Sequence, residues 1–92
     1  MEAAMAENRQ YPTIIIQDVI EELARAKSQY PTVHSAHHAL GVLEEEVHEL
    51  RMEVYKRPSA RDMDAMYREA VQVAAMAIRF AEAICSRTLN PS

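Results

Sequence analysis

The segment Leu43-Glu44-Glu45-Glu46-Val47-His48-Glu49-Leu50 sets four glutamates between two leucines. Read as a helix, it places Glu46 and Glu49 one turn apart and Glu53 a further turn on, so the three carboxylates share a face. Carboxylates gathered this way repel one another unless a positive charge lies between them. A hard divalent cation with oxygen ligands fits that need, Mg²⁺ first and Mn²⁺ as an alternative. Later in the chain Glu69 and Gln72 repeat the three-residue spacing. Two helices that each present such a pair could close a metal site across a bundle. The competing explanation is a solvated face, because glutamate is a good helix former and most glutamate runs are surface charge.

Hydrophobic periodicity gives the elements that must position these groups. Residues 1–11 are polar and Ala-rich and read as a flexible N-terminal arm; 12–92 read as a single helical domain. Thr13 is the expected N-cap of a helix from Ile14 to about Ser28. Ile14-Ile15-Ile16 favours a strand locally, but Ile16, Val19, Ile20, Leu23 and Ala26 keep helical spacing. Tyr30-Pro31-Thr32 breaks that helix. A second helix is expected from about Ser35 to Lys56, with Ala36, Leu40, Leu43, Val47, Leu50 and Val54 as its apolar stripe. Glu46, Glu49 and Glu53 lie just beside the stripe, where they can reach into a cleft. Glu44 and Glu45 point elsewhere.

Arg57-Pro58-Ser59 ends the second helix, and Ser59-Ala60-Arg61-Asp62 resembles a capping box with Asp in the place of Glu. The third helix is expected to run to about Arg87. Its predicted buried stripe is Met63, Met66, Ala70, Val73, Ala74, Ala77, Ala81 and Ile84. Glu69 and Gln72 sit at its flank, with Asp62 on the same side as an alternative carboxylate. Asn90-Pro91-Ser92 is a terminal stop. The sum is an all-α bundle of three main helices with short connections. The Ala-rich third helix permits close contact with a second subunit.

Composition narrows the function classes. A chain of 92 residues makes one small domain whose core is marginal alone, so completion by oligomerisation is expected. Formal net charge is -4 with both signs interleaved, which argues against a nucleic-acid polymer as partner. Cys85 is the single cysteine, which rules out an internal disulfide and a zinc-finger cysteine cluster. Its predicted place is a buried, inert one. No apolar run approaches the roughly 18 residues of a membrane span, and the N-terminus has no signal-peptide pattern. The expected location is cytoplasmic. With Gly41 as the only glycine, a Gly-rich phosphate loop is excluded.

The acidic pattern, Glu45-Glu46-Val47-His48-Glu49 followed by Glu69-Ala70-Val71-Gln72, resembles the MazG-like family of all-α NTP pyrophosphatases. The family signature is Glu-Glu-x-x-Glu on one helix and Glu-x-x-Asp on the next. The first half matches in full and the second at all but its last position. The likeness extends over about Ser35 to Ile84, and helix order and connections agree, in the manner of a small phage-type member. The resemblance implies a bundle assembled as a homodimer or homotetramer. It also implies Mg²⁺-dependent hydrolysis of a nucleoside triphosphate, ribo or deoxy, to the monophosphate and pyrophosphate. Glu46, Glu49 and Glu69 would then hold the metal, with Glu45 assisting or positioning water.

The departure is Gln72, which offers a neutral carbonyl where the family has a charged ligand. It favours an alternative in which the chain is a catalytically weakened relative that binds nucleotide or a protein partner. Asp62 could compensate, although helix capping is the more ordinary role for it.

Four histidines complete the candidates. His34 and His38 are i, i+4, a spacing that can bind Zn²⁺, but no third ligand is evident. His37 points to another face, and exposed histidines such as His48 are ordinary. His38 lies on the side of Glu49 and could contact a substrate. Lys56, Arg57, Arg61, Arg68 and Arg79 could contact phosphate. Arg79 stands out, two turns beyond Gln72 on the same side of the helix. The methionines read as core filler.

Overall fold

The computed structural model describes residues 2–29, 33 and 35–87, with side chains from Gln10 onward. The chain is all-α. Helix α1 spans Glu2–Gln29, α2 spans Ala36–Val54, a single 3₁₀ turn covers Pro58–Ala60, and α3 spans Met63–Cys85. The described residues contain no strand, so the triple isoleucine is helical and its β-propensity is overridden. Among the described residues no helix is long and apolar enough to cross a membrane. The Tyr30-Pro31-Thr32 break, His34 and the Asn90-Pro91-Ser92 stop lie outside the described residues.

Helix α1 starts well before Ile14. Its helical backbone runs from Glu2 through Pro12, so Thr13 is an interior residue and not the N-cap. Strong helix formers, Ala3, Ala4 and Ala6 among them, favour this extension. It proceeds despite Pro12, which has no N–H to offer the preceding turn.

The other two helices start on side-chain caps. Ser35 caps α2 by accepting from the His38 N–H at 3.1 Å. Asp62 caps α3 by accepting from the N–H groups of Asp64 at 3.0 Å and Ala65 at 3.2 Å. The predicted capping box is therefore displaced, because Ser59 lies within the 3₁₀ turn and Asp62 itself is the cap. Arg61 Nε donates to the Val54 carbonyl at 3.0 Å, tying the end of α2 to the start of α3.

Helix α3 packs on both α1 and α2, while α1 and α2 do not pack on each other. Tyr67 donates its hydroxyl to Asp18, and Lys27 pairs with Glu82 at 2.6 Å. Those two contacts ascend together along both chains, so α1 runs parallel to α3. The core joins Val19, Leu23 and Ala26 of α1 to Val71, Ala75 and Met76 of α3, with Val42, Leu43 and Ala74 packed against it. Ala75 has no exposed surface.

The buried face of α3 differs from the predicted one. Val71, Ala75, Met76, Arg79 and Ala83 are buried, whereas Ala70, Ala77 and Ala81 are exposed and Met63 and Ile84 are 66% and 57% exposed. These two sets lie on opposite sides of the helix. Asp64, Arg68, Glu69, Gln72, Arg79 and Glu82 all fall on the side of α3 that packs, so the apolar period selects the opposite, outer side, while α1 and α2 dock on the mixed side through Val71, Ala75 and Met76. Cys85 is exposed, standing with Ile84 in the last turn of a face that nothing among the described residues covers. On α2 the packing face is turned toward the glutamates: Ala39 is buried, Glu46 is half-buried and Leu40 is exposed. On α1, Ile16 and Ile20 are exposed rather than buried.

Gly41 lies inside α2, exposed, and a Cβ there would meet nothing within 4 Å. Gly41→Ala is expected to stabilise the fold by roughly 0.5–1 kcal/mol through helix propensity. Chemical denaturation reads this as a higher midpoint at unchanged slope.

Candidate functional site

The turn of α2 toward its acidic edge brings the glutamates against α3. Glu46, Glu49 and Glu69 each offer a carboxylate oxygen, and these atoms all lie within 4.8 Å of one another. Among the described residues this is the one group of three or more metal-ligating side chains so gathered, and no histidine joins it. Glu46 and Glu69 are half-buried and Glu49 is exposed.

The electrostatic consequence is strongest at Glu46. Burial, then the neighbouring charges of Glu49 and Glu69, a hydrogen bond with Glu49, and Glu45, push its carboxyl up to about 7 from an ordinary 4.5. Glu69 is also raised, by burial first and then by Glu49 and Glu53, with Arg68 acting in the opposite direction. Glu49 thus acts on both of the other carboxyls, through its charge and through a hydrogen bond to each.

Gln72 has a definite place in this cluster. Its amide nitrogen faces the carboxylates, since the reverse orientation would oppose oxygen to oxygen. In that orientation it donates to Glu46 Oε2 and to Glu69 Oε2, at 2.9 Å each. The amide thereby links α3 to α2 through one carboxylate of each helix.

The remaining sequence candidates separate clearly. Asp62 is occupied in capping α3, and its carboxylate is not in the cluster. Glu53 pairs with Lys56 at 3.0 Å and acts on Glu69 only through its charge. His37 and His48 are exposed on α2. Glu45, expected to point away, lines a cleft beside Glu46, and His38 lines it too.

That cleft, about 500 Å³, exists because α1 and α2 stand apart over α3. Glu22, Arg25 and Gln29 of α1 face His38, Val42, Glu45 and Glu46 of α2 across a floor of Gln72, Met76 and Arg79. Helix α1 was not expected to contribute to a site. No periodicity of its apolar residues marks Glu22, Arg25 or Gln29, which reach the cleft only because α1 lies parallel to α3. Arg25 is held on α1 by Glu22 and by Gln29, the latter at 2.8 Å. Arg79 is 7% exposed, and its Nη2 has no hydrogen-bond partner.

Comparison of the chain with family models, with curated proteins and with solved structures gives no match. The cluster and the cleft therefore carry the functional argument alone.

The raised Glu46 carboxyl sets a pH dependence. A carboxyl raised above 4.5 in the folded state contributes stability that is full below about 4.5 and is lost as pH rises through about 7. Thermal melts in chelator should therefore lose stability between pH 5 and pH 8, and Glu46→Gln should flatten that loss. Parallel pH profiles for the two proteins would remove the electrostatic account of the cluster.

Proposed function

We propose that the chain is a Mg²⁺-dependent nucleoside triphosphate pyrophosphohydrolase of the MazG-like kind, acting as a homo-oligomer. One observation carries the reading: three carboxylates from two helices converge within 4.8 Å beside a cleft of about 500 Å³. That volume lies within the range of small-molecule sites. The donor set is all oxygen, which suits Mg²⁺ or Mn²⁺ and not zinc.

Glu46, Glu49 and Glu69 are the residues that would hold the ion. When bound, it supplies charge neutralisation for the triphosphate and lowers the pKa of a coordinated water. Glu45, on the cleft wall beside Glu46, is positioned to orient or accept a proton from the attacking water. The bond broken is the α–β phosphoanhydride, giving a monophosphate and pyrophosphate. Glu46 must be ionised to act as a ligand, so activity should rise with pH through about 7.

Gln72 supports a second reading. Its amide already bridges Glu46 and Glu69, which neutralises part of the need for a cation. A chain so arranged would bind nucleotide or a protein partner with weak or absent catalysis. Pyrophosphate release from a panel of ribo- and deoxynucleoside triphosphates separates the two. The enzyme reading expects release with Mg²⁺ or Mn²⁺, none with chelator, and a loss of at least about 100-fold in Glu46→Gln, the scale of a key electrostatic group. Silence in the native chain with release in Gln72→Asp would establish the second reading.

The oligomer follows from α3. Its outer face carries Met63, Ala70, Ala77, Ala81 and Ile84, and no other part of the described chain covers it. Small side chains on a long helix allow close approach of a second copy. Light scattering should show at least a dimer, and Ala77→Arg should shift it toward monomer.

A further inference from the structure

Arg79 is a charged group in an unusual setting. It is 93% shielded from solvent, as its 7% exposure shows, and Nη2 is fully enclosed without a hydrogen-bond partner. Among the described residues it joins none of the ion pairs, which link Arg25 to Glu22, Lys27 to Glu82 and Lys56 to Glu53. A guanidinium stays protonated at any ordinary pH, so burial cannot be relieved by losing the proton. A buried charge without a counter-charge is destabilising, and such groups are retained where a ligand completes them.

Its position in the cleft narrows the ligand. Arg79 lies two turns beyond Gln72 on α3, about 10 Å at 1.5 Å per residue. A helical side chain leans back toward the N-terminus, which shortens the gap to the acidic cluster. One end of the cleft is therefore rich in carboxylate and the other ends on a guanidinium. Glu22 on the wall is paired with Arg25, and Glu45 and Glu46 repel a bare anion. An anion that arrives with its own divalent cation satisfies both ends together. A chain of two or three phosphates has the length and the oxygen geometry to do so, and a guanidinium fork matches a phosphate in a bidentate manner.

We propose that Arg79 is the phosphate receptor of the cleft. It grips the phosphate farthest from a divalent cation held by Glu46, Glu49 and Glu69. The inference rests on the metal–polyphosphate reading above and assigns the direction in which the polyphosphate lies. In that arrangement the phosphates run along α3 from Gln72 toward Arg79, and the rest of the nucleotide leaves by the open side of the acidic cluster.

The test is calorimetric titration of inorganic pyrophosphate, with Mg²⁺ and with chelator, into the wild-type chain, Arg79→Gln and Arg79→Lys. With Mg²⁺, Arg79→Gln should weaken pyrophosphate binding at least tenfold, Arg79→Lys should recover part of it, and Mg²⁺ titrated alone should bind all three equally. Because the variant loses an unpaired buried charge, its melting temperature should equal or exceed the wild-type value, which excludes misfolding as the cause. Equal pyrophosphate affinity in Arg79→Gln and wild type, or no binding to wild type, would overturn the proposal. So would succinate competing as well as pyrophosphate, since the site would then be a carboxylate receptor. Arg79-dependent binding that persists in Glu46→Gln/Glu49→Gln with chelator would uphold Arg79 while the metal reading fails.

Discussion

Helices α1 and α2 share α3 as their packing partner and do not pack on each other. That single constraint creates the rest of the molecule. Two helices leaning on a third leave a wedge between them, and the wedge is the cleft. The same arrangement forces α2 to meet α3 along its acidic edge, because the contact line is fixed by Ala39, Val42 and Leu43 on one side and Val71, Ala75 and Met76 on the other. Ala75 admits no exposed surface, so the helices can approach closely there. A close approach carries Glu46 into a half-buried position where its charge is costly.

The fold therefore spends hydrophobic burial on bringing like charges together. Desolvation of Glu46 and the fields of Glu49 and Glu69 act in the same direction, toward holding a proton at neutral pH. The Gln72 amide moderates the repulsion by donating to one carboxylate from each helix. A neutral donor can relieve two lone pairs but cannot cancel a negative charge, so the cluster remains responsive to pH and to cations. An aspartate at this position would add a further charge and raise the demand for a cation, whereas the glutamine lowers it.

The amino-acid sequence made the gathering of the acidic residues more legible than the packing. Glu46, Glu49 and Glu69 were legible because helical spacing and short connections leave few ways to arrange two acidic pairs on neighbouring helices. The face of α3 was not, because its apolar period points to the outer side, whereas the side that packs also carries Asp64, Arg68, Glu69, Gln72, Arg79 and Glu82. The start of α1 was missed because Pro12 reads as a boundary, while the alanines before it carry the helix past that signal. The cleft contributions of Glu22, Arg25 and Gln29 depend on α1 lying parallel to α3, a tertiary relation with no local sequence mark. The capping box read with Ser59 as its cap is displaced: Ser59 is taken up in the 3₁₀ turn, and Asp62, read as the box's acidic partner, is itself the cap.

Charge placement along the cleft unites these observations. Excess carboxylate collects where α2 meets α3, and an enclosed guanidinium closes the far end on the same floor. Neither is neutralised by the other, since no ion pair joins Arg79 to a described carboxylate. A folded chain that keeps both, about two helical turns apart, is destabilised at each end and so favours any ligand of matching polarity. A group positive at one end and negative at the other would complement both ends of the cleft.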